Sequence, residues 1–257
     1  MFDRRLSDLF DLTGRSAVVT GAANGIGAAT ARRLTEAGAR VTLTDIDDAA
    51  GQKLAADLGP TASYQHCDIS DTAQLISAAD AAAKRTGSID IWINNAGIFP
   101  TTGPLLDVTD DFLNRMFDVN IRSQFSAARE AANRMNGKGV IVNLASITAF
   151  RGGSNISAYS VSKHAVVGLT RSLAAELGPR GIRAVAVAPS AVETPGVDAQ
   201  MAPLKAAGID LGAMLSANPL GLSGHPDYVA RVITFLVSDL AEFVTGVVIP
   251  VDGGTLA

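Results

Sequence analysis

The sequence predicts an α/β protein: a doubly wound, seven-stranded parallel sheet with helices on both faces, in one domain spanning residues 1–257. Three observations predict it. Seven short apolar runs alternate with longer stretches in which apolar residues recur at helical spacing, the pattern of successive βαβ units. The first run leads directly into a glycine-rich turn and then an alanine-rich helix. Apolar residues make up 47% of the chain, enough to bury a parallel sheet on both faces.

In chain order, the predicted strands lie near residues 16–20, 40–45, 63–67, 89–94, 139–144, 182–188 and 246–250. Helical patterns lie between them, and right-handed crossovers then place any ligand at the C-terminal ends of the strands. Residues 110–135 and 158–177 read as amphipathic helices, the second without an internal proline. The alanine-rich stretch at 77–83 reflects helix propensity and says little about function. Residues 191–223 form the longest stretch between a predicted strand and helix. Connections longer than about 12–15 residues in compact domains are usually functional or disordered, so this segment is the expected substrate lobe. Its Met201, Leu204, Leu211, Met214, Leu215 and Leu220 suggest short helices closing over a site. With Ile98, Phe99 and Phe150 they are expected to form an apolar pocket without a fixed charge.

Charge is balanced at a net −4, with no basic stripe for nucleic acid. The N-terminal ten residues are too polar for a signal peptide, and no apolar run approaches the ~20 residues that cross a bilayer. The expectation is a soluble, cytoplasmic protein. A lone Cys67 forms no internal disulfide, and His66, His164 and His225 make no metal-ligand cluster. Cys67 and Trp92 read as core residues.

The chemistry is written in three places. Gly21, Gly25 and Gly27 follow the first strand with the spacing Gly-x-x-x-Gly-x-Gly. Such a turn lets backbone approach a pyrophosphate at a helix N-terminus, where unpaired N–H groups and a partial positive charge favour an anion. Asp45 closes the second strand about 20 residues on, where an acid binds both hydroxyls of an adenosine ribose and repels a ribose phosphate. Neither Ala22, Ala23 and Asn24 nor Ile46 supplies a compensating cation, so the expected cofactor is NAD. Tyr159 and Lys163 stand four apart on one helical face, with Ser146 at a strand end thirteen residues upstream. The ammonium is expected to stabilise the phenolate, letting Tyr159 exchange a proton with a substrate oxygen that Ser146 holds. A Tyr-x-x-x-Lys pair alone is usually a solvated helical pair; the order of the motifs gives this one its meaning.

That order resembles the short-chain dehydrogenase/reductase family over nearly the whole chain, which implies a Rossmann-type fold. Residues 20–27 resemble the family's cofactor loop, Asn94-Asn95-Ala96-Gly97 its central-strand motif, and Asn120, Ser146, Tyr159 and Lys163 its catalytic set. Cys67-Asp68-Ile69 resembles its adenine-contacting segment and Val251-Asp252-Gly253-Gly254 its C-terminal signature. The resemblance implies cofactor contacts from Gly21, Asn24, Gly25, Ile26, Gly27, Asp45, Asp68, Ile69, Asn95, Ala96, Gly97, Tyr159 and Lys163. It adds Pro189, Val192 and Thr194, in the segment that holds the nicotinamide carboxamide. It implies that Lys163 binds the nicotinamide ribose and that Asn120 holds a water linking Lys163 to solvent. Two departures stand out: Ser190 where the family commonly has glycine, and Val185 where it commonly has asparagine.

The activity these readings imply is reversible hydride transfer between NAD(H) and a hydrophobic secondary alcohol or ketone. A 3-oxoacyl carrier-protein reductase is the alternative within the family, with Arg129, Arg134 and Arg171 as a basic docking surface. A non-catalytic NAD-binding regulator is the alternative of another class, and a nucleotide-sugar epimerase is disfavoured because that branch is longer. The resemblance also implies a homotetramer, with the stretches 110–135 and 158–177 at one interface and the C-terminal strand near another.

Overall fold

A computed structural model describes residues 4–99, 103–197, 212 and 215–257 of the chain. Seven strands, β1 (Ser16–Thr20), β2 (Arg40–Asp45), β3 (Ala62–His66), β4 (Ile91–Asn94), β5 (Gly139–Leu144), β6 (Ile182–Pro189) and β7 (Val248–Val251), form one sheet. All pairings are parallel, in the order β3-β2-β1-β4-β5-β6-β7. The order reverses between β1 and β4. At that switch point the connections leave in opposite directions and open a crevice beyond the strand ends.

Alternation along the strands sorts the core into two layers. Ala17, Val19, Val41, Leu43, Ile91 and Ile93 pack on the face covered by α2 (Gly25–Glu36) and α8 (Pro226–Val237). Val18, Trp92, Ile141 and Ala184 pack on the other face, under α4 (Thr72–Thr86), α6 (Ser123–Arg134) and α7 (Ser157–Leu177). The apolar runs are continuous because both faces are covered. Trp92 and Cys67 are both buried, as the sequence predicts. Helix α3 (Asp48–Leu58) starts where the Asp47 carboxylate accepts from the Ala50 N–H, and α4 where Asp71 accepts from Ala73 and Gln74. A short α1 (Leu6–Phe10) precedes β1.

The sequence expectations hold for the number of strands and differ at several ends. β3 ends one residue early, so Cys67 lies just past it, although its N–H still donates to the Asp45 carbonyl at 2.9 Å. β4 begins at Ile91 and β7 at Val248. The helix expected over 110–135 is interrupted. An α5 (Asp110–Phe117) runs into a π-helical turn over Asp118–Arg122 before α6 begins. The widened turn carries Asn120, whose side chain accepts from the Ile98 N–H and donates to the Ile98 carbonyl, both at 2.8 Å. No glycine or proline marks this break, because a contact with a distant loop imposes it.

Of the expected lobe, Met201, Leu204, Leu211 and Met214 lie outside the described residues. Leu215 is partly buried and Leu220 is exposed. The two ends of the lobe meet: Val192 bridges Gly224, and the Glu193 N–H donates to the Gly224 carbonyl at 2.8 Å. Among the described residues no helix is long and apolar enough to cross a membrane, and no group of His, Cys, Asp or Glu could hold a metal ion.

Candidate active site

An open cleft of about 1120 Å³ runs along the C-terminal ends of the strands at the switch point. It reaches from Asp45, Ile46, Cys67, Asp68 and Ile69 at one end to Ser146, Tyr159 and Lys163 at the other. The glycine turn, Asn95-Ala96-Gly97 and the Pro189–Thr194 segment line it between them. Of the sequence-predicted residues, Gly27 and Asn120 do not line the cleft, and both act from behind it.

The glycine turn is built so tightly that side chains are excluded. Gly21 and Gly25 have φ of +62° and +57°, in the region that favours glycine. A Cβ on Gly27 would stand 2.1 Å from the Gly21 carbonyl oxygen, and one on Gly25 would press the Thr194 methyl at 3.0 Å. The Asn95 side chain ties the turn down by donating to the carbonyls of Thr20 and Gly21 at 2.8 and 2.9 Å. The Thr20 hydroxyl oxygen accepts from the N–H groups of Asn95 and Ala96. Asn24 caps α2 with no side-chain hydrogen bond, and the first turn of α2 has no acid. Its leading N–H groups are therefore available to an anion.

At the far end, the Asp45 carboxylate accepts from the N–H groups of Ala23, Ile46 and Asp47 at 2.9, 2.8 and 3.1 Å. A carboxylate has about four acceptor positions, so capacity remains for a ribose hydroxyl. Asp68 is held by its own turn, accepting from the N–H and hydroxyl of Ser70.

At the chemical end, Ser146 follows β5 and starts a 3-10 turn over Ile147–Ala149, its oxygen accepting from the Thr148 N–H at 3.2 Å. Tyr159 and Lys163 project from the first turns of α7, the Lys163 nitrogen 5.6 Å from the Tyr159 ring centroid. Lys163 is 5% exposed and donates to the Leu144 carbonyl at 2.8 Å. An ammonium has three donors, so this buried group has donors to spare for a ligand hydroxyl. Phe99 packs against Tyr159 with ring centroids 4.3 Å apart.

The ionisation of this pair corrects a sequence expectation. Loss of water pushes the Tyr159 phenol up to about 12, a rise that its hydrogen bond with Ser146 partly offsets. Burial likewise pushes Lys163 down to about 8. Proximity alone leads one to expect a lowered phenol, but the ammonium neighbours the ring in an environment where desolvation dominates both groups. The protein by itself therefore holds Tyr159 neutral.

Asn120 is fully buried, and its amide also donates to the Ser162 hydroxyl at 3.2 Å. A Cβ on Gly97 would lie 3.1 Å from the Asn120 oxygen and 3.7 Å from the Lys163 nitrogen, so the three residues form one packed corner. Leu144 and Ser162 support the site and escape sequence reasoning, because their roles use a backbone carbonyl or a hydroxyl that no spacing reveals. Two pocket expectations also change. Phe150 is 44% exposed and does not line the cleft, and neither does Leu220. Asp111, Arg115, Asp118 and Arg122 on α5 and the π turn do line it, so the wall is not free of charge. Of the two departures, Val185 is core, paired with Val142, and Ser190 lines the cleft with its N–H on the Val251 carbonyl.

Comparison with known proteins finds relatives along nearly the whole chain. The family described as Enoyl-(Acyl carrier protein) reductase matches residues 21–255. Momilactone A synthase of Oryza sativa subsp. japonica is 39% identical over 96% of this chain and 92% of its own. Cis-4-hydroxycyclohexanecarboxylate dehydrogenase of Sinomonas cyclohexanicum is 38% identical (95% and 97%). (+)-Borneol dehydrogenase 1 of Salvia officinalis is also 38% identical (95% and 94%). Among solved structures, levodione reductase superposes with a TM-score of 0.89 at 34% identity, covering 94% of this chain and 97% of that one. A 3-ketoacyl-(acyl-carrier-protein) reductase from Brucella melitensis complexed with NADH gives 0.87 at 34% (96% and 100%). A short chain dehydrogenase from Burkholderia cenocepacia J2315 in complex with NADP gives 0.86 at 34% (96% and 99%). A doubly wound sheet carrying Ser146, Tyr159 and Lys163 on one cleft, with relatives aligned along nearly its full length, places the chain in the short-chain dehydrogenase/reductase family of oxidoreductases.

Proposed function

We propose that this oxidoreductase interconverts an uncharged, hydrophobic, cyclic secondary alcohol and its ketone with NAD(H) as cofactor, in the cytoplasm and as a homotetramer. The observation that carries the reading is that one cleft holds an acid at one end and a proton-transfer group at the other. Asp45 takes the adenosine ribose hydroxyls. The uncapped N-terminus of α2 takes the pyrophosphate, and the spare donors of Lys163 take the nicotinamide ribose. Bound NAD supplies the hydride acceptor and, when oxidised, a positive charge near the phenol. Tyr159 gives its proton to the ketone oxygen in one direction and removes it from the alcohol in the other. Ser146, oriented by the Thr148 N–H from which its oxygen accepts, donates its hydroxyl hydrogen to the substrate oxygen. Asn120 keeps the corner around Lys163 closed and holds the water through which the proton leaves.

Selectivity for NAD rests on Asp45, whose neighbours Ala23 and Ile46 are not cationic. Cations lining the described cleft are Arg115, Arg122 and Lys163, none of them on β2 or the glycine turn. The preference for an apolar ring rests on Ile98, Phe99, Ile147 and Val192. It is in keeping with the borneol of the Salvia relative, while the Sinomonas relative is named for a ring acid and makes a charged substrate the competitor. The carrier-protein reductase reading is weaker. Of its three expected docking arginines, Arg134 is paired with Asp80 and Glu130 and Arg129 with Glu130, which leaves the exposed Arg171 for an acidic partner. A pure binder has no use for Ser146, Tyr159 and Lys163 together.

Initial rates with NAD and NADP against borneol, cyclohexanols, hydroxycyclohexanecarboxylate and linear polyols test the proposal. The expected result is a higher kcat/KM with NAD and with the uncharged rings. Equal efficiency with both cofactors would overturn the assignment of NAD, and turnover confined to acids or polyols would overturn the substrate class.

A further inference from the structure

Beside the acid that reads the ribose stands a cluster with no part in the reaction, made of Tyr64 on β3 with Asp48 and Gly51 on α3 and His66 at the end of β3. The Tyr64 hydroxyl lies 2.7 Å from the Asp45 backbone carbonyl oxygen and 2.7 Å from a carboxylate oxygen of Asp48. His66 Nδ1 lies 2.8 Å from the same Asp48 oxygen. A phenol has one proton and both of its neighbours here are acceptors, so that proton is shared between the end of β2 and the start of α3. Burial first, then the carboxylates of Asp48, Asp45 and Asp47, hold the Tyr64 phenol well above its ordinary range, so it remains a donor.

The ring has a place made for it. A Cβ on Gly51 would stand 2.1 Å from the Tyr64 ring, so α3 closes onto the ring through a residue without a side chain. Tyr64 pairs with Leu43 in the β2–β3 register, two residues before Asp45. The Asp45 carboxylate is fixed to its own backbone by the N–H groups of Ile46 and Asp47 and to the glycine turn by that of Ala23. The backbone itself is held from the other side, where the Asp45 carbonyl accepts from Tyr64 and from the Cys67 N–H.

We infer that Tyr64 is a positioning residue for cofactor selection: through the Asp45 carbonyl and Asp48 it fixes the turn from β2 to α3, and so sets the carboxylate at the height where a ribose diol fits and a ribose phosphate does not. It never touches the reacting atoms. The inference deepens the reading of Asp45 as the ribose acid and rests on it. Hydrogen bonds of this kind act on binding only when the group they orient meets the ligand, so the effect falls on the cofactor that uses the acid and spares the chemical step.

The test is the dissociation constants of NADH and NADPH, by fluorescence titration, for the unaltered protein, Tyr64→Phe and Gly51→Ala, with kcat at saturating NADH alongside. Tyr64→Phe keeps the ring and loses the proton; Gly51→Ala keeps the proton and displaces the ring, in a helix that alanine favours. The expected result is a loss of NADH affinity of about fivefold to tenfold in each variant, the size of one ordinary hydrogen bond. NADPH affinity should change little, the ratio should narrow, and kcat should stay within about twofold, the scale of a change with no part in transition-state binding. If the unaltered protein binds both cofactors equally, the ribose reading of Asp45 fails and this inference with it. If the unaltered protein prefers NADH and both variants keep that preference in full, the inference alone fails. An equal weakening of NADH and NADPH would also overturn it, because that is the mark of a merely structural ring. Should Tyr64→Phe fail to fold, Gly51→Ala decides.

Discussion

Tyr159 and Lys163 show how far spacing and environment can disagree. Four residues of helix place them side by side, with Lys163 buried and Tyr159 partly so, and desolvation lifts the phenol to about 12 and lowers the amine to about 8. If Tyr159 is the proton-transfer group, Tyr159→Phe should lower kcat by about 10²–10⁴ while NADH affinity, read by titration, stays within a small factor. Retained turnover would assign the proton to another group. The lysine makes a separate prediction about stability. Between pH 8 and its unfolded value of about 10.5 the unfolded chain carries one proton more than the folded one at this residue. Its contribution therefore rises with pH across that window, and below it the full cost of a buried charge is felt. Lys163→Met should thus be most favourable, relative to the unaltered protein, below pH 8, and the difference should shrink towards pH 10.5. Denaturation midpoints at four or five pH values would show this, and a constant difference would contradict it.

The elements that matter most are two turns, and they differ in legibility. The glycine turn is plain in the residues, since Gly21, Gly25 and Gly27 announce a backbone that side chains cannot enter. Gly27 faces the Gly21 carbonyl rather than the cleft, so Gly27→Ala should destabilise the fold by about 1–3 kcal/mol through overpacking and should also lose cofactor binding. Thermal melting together with NADH titration checks both halves, and an unchanged melt would mean that the turn relaxes freely. The π turn at Asp118–Arg122 is the opposite case. Residues 110–135 repeat apolar side chains like any amphipathic helix, and nothing in them marks the extra residue that swings Asn120 onto Ile98. Strand ends shift by a residue or two for the same reason: Cys67 still donates its N–H to β2, yet it lies one residue past the end of β3.

At the scale of the molecule, the exposed large apolar side chains of the described surface include pairs on α6 and α7 and in the segment after α8. Phe125 of α6 and Val161 of α7 are 57% and 54% exposed, and Phe243 and Val247, after α8, are 104% and 38% exposed. Two self-complementary patches on one chain are the requirement for a closed tetramer with two kinds of two-fold interface. Light scattering at micromolar concentration should give four times the chain mass, and Phe125→Glu should reduce it to a dimer through the remaining patch. A monomer mass for the unaltered protein would refute the arrangement.

The residues by themselves determined the layers, the parallel sheet, the place of the cleft and about half of the residues that line it. Those features follow from local periodicity, from glycines that only certain turns require, and from groups whose chemistry is carried in their type. Tertiary structure alone decided the ionisation of Tyr159 and Lys163, the π turn, the withdrawal of Phe150 from the cleft, the charged wall from α5 and the hold of Tyr64 on Asp45. Each of these depends on distances between residues far apart in sequence. Desolvation and a hydrogen bond between separate strands are properties of a place in space, and no run of neighbouring residues encodes them.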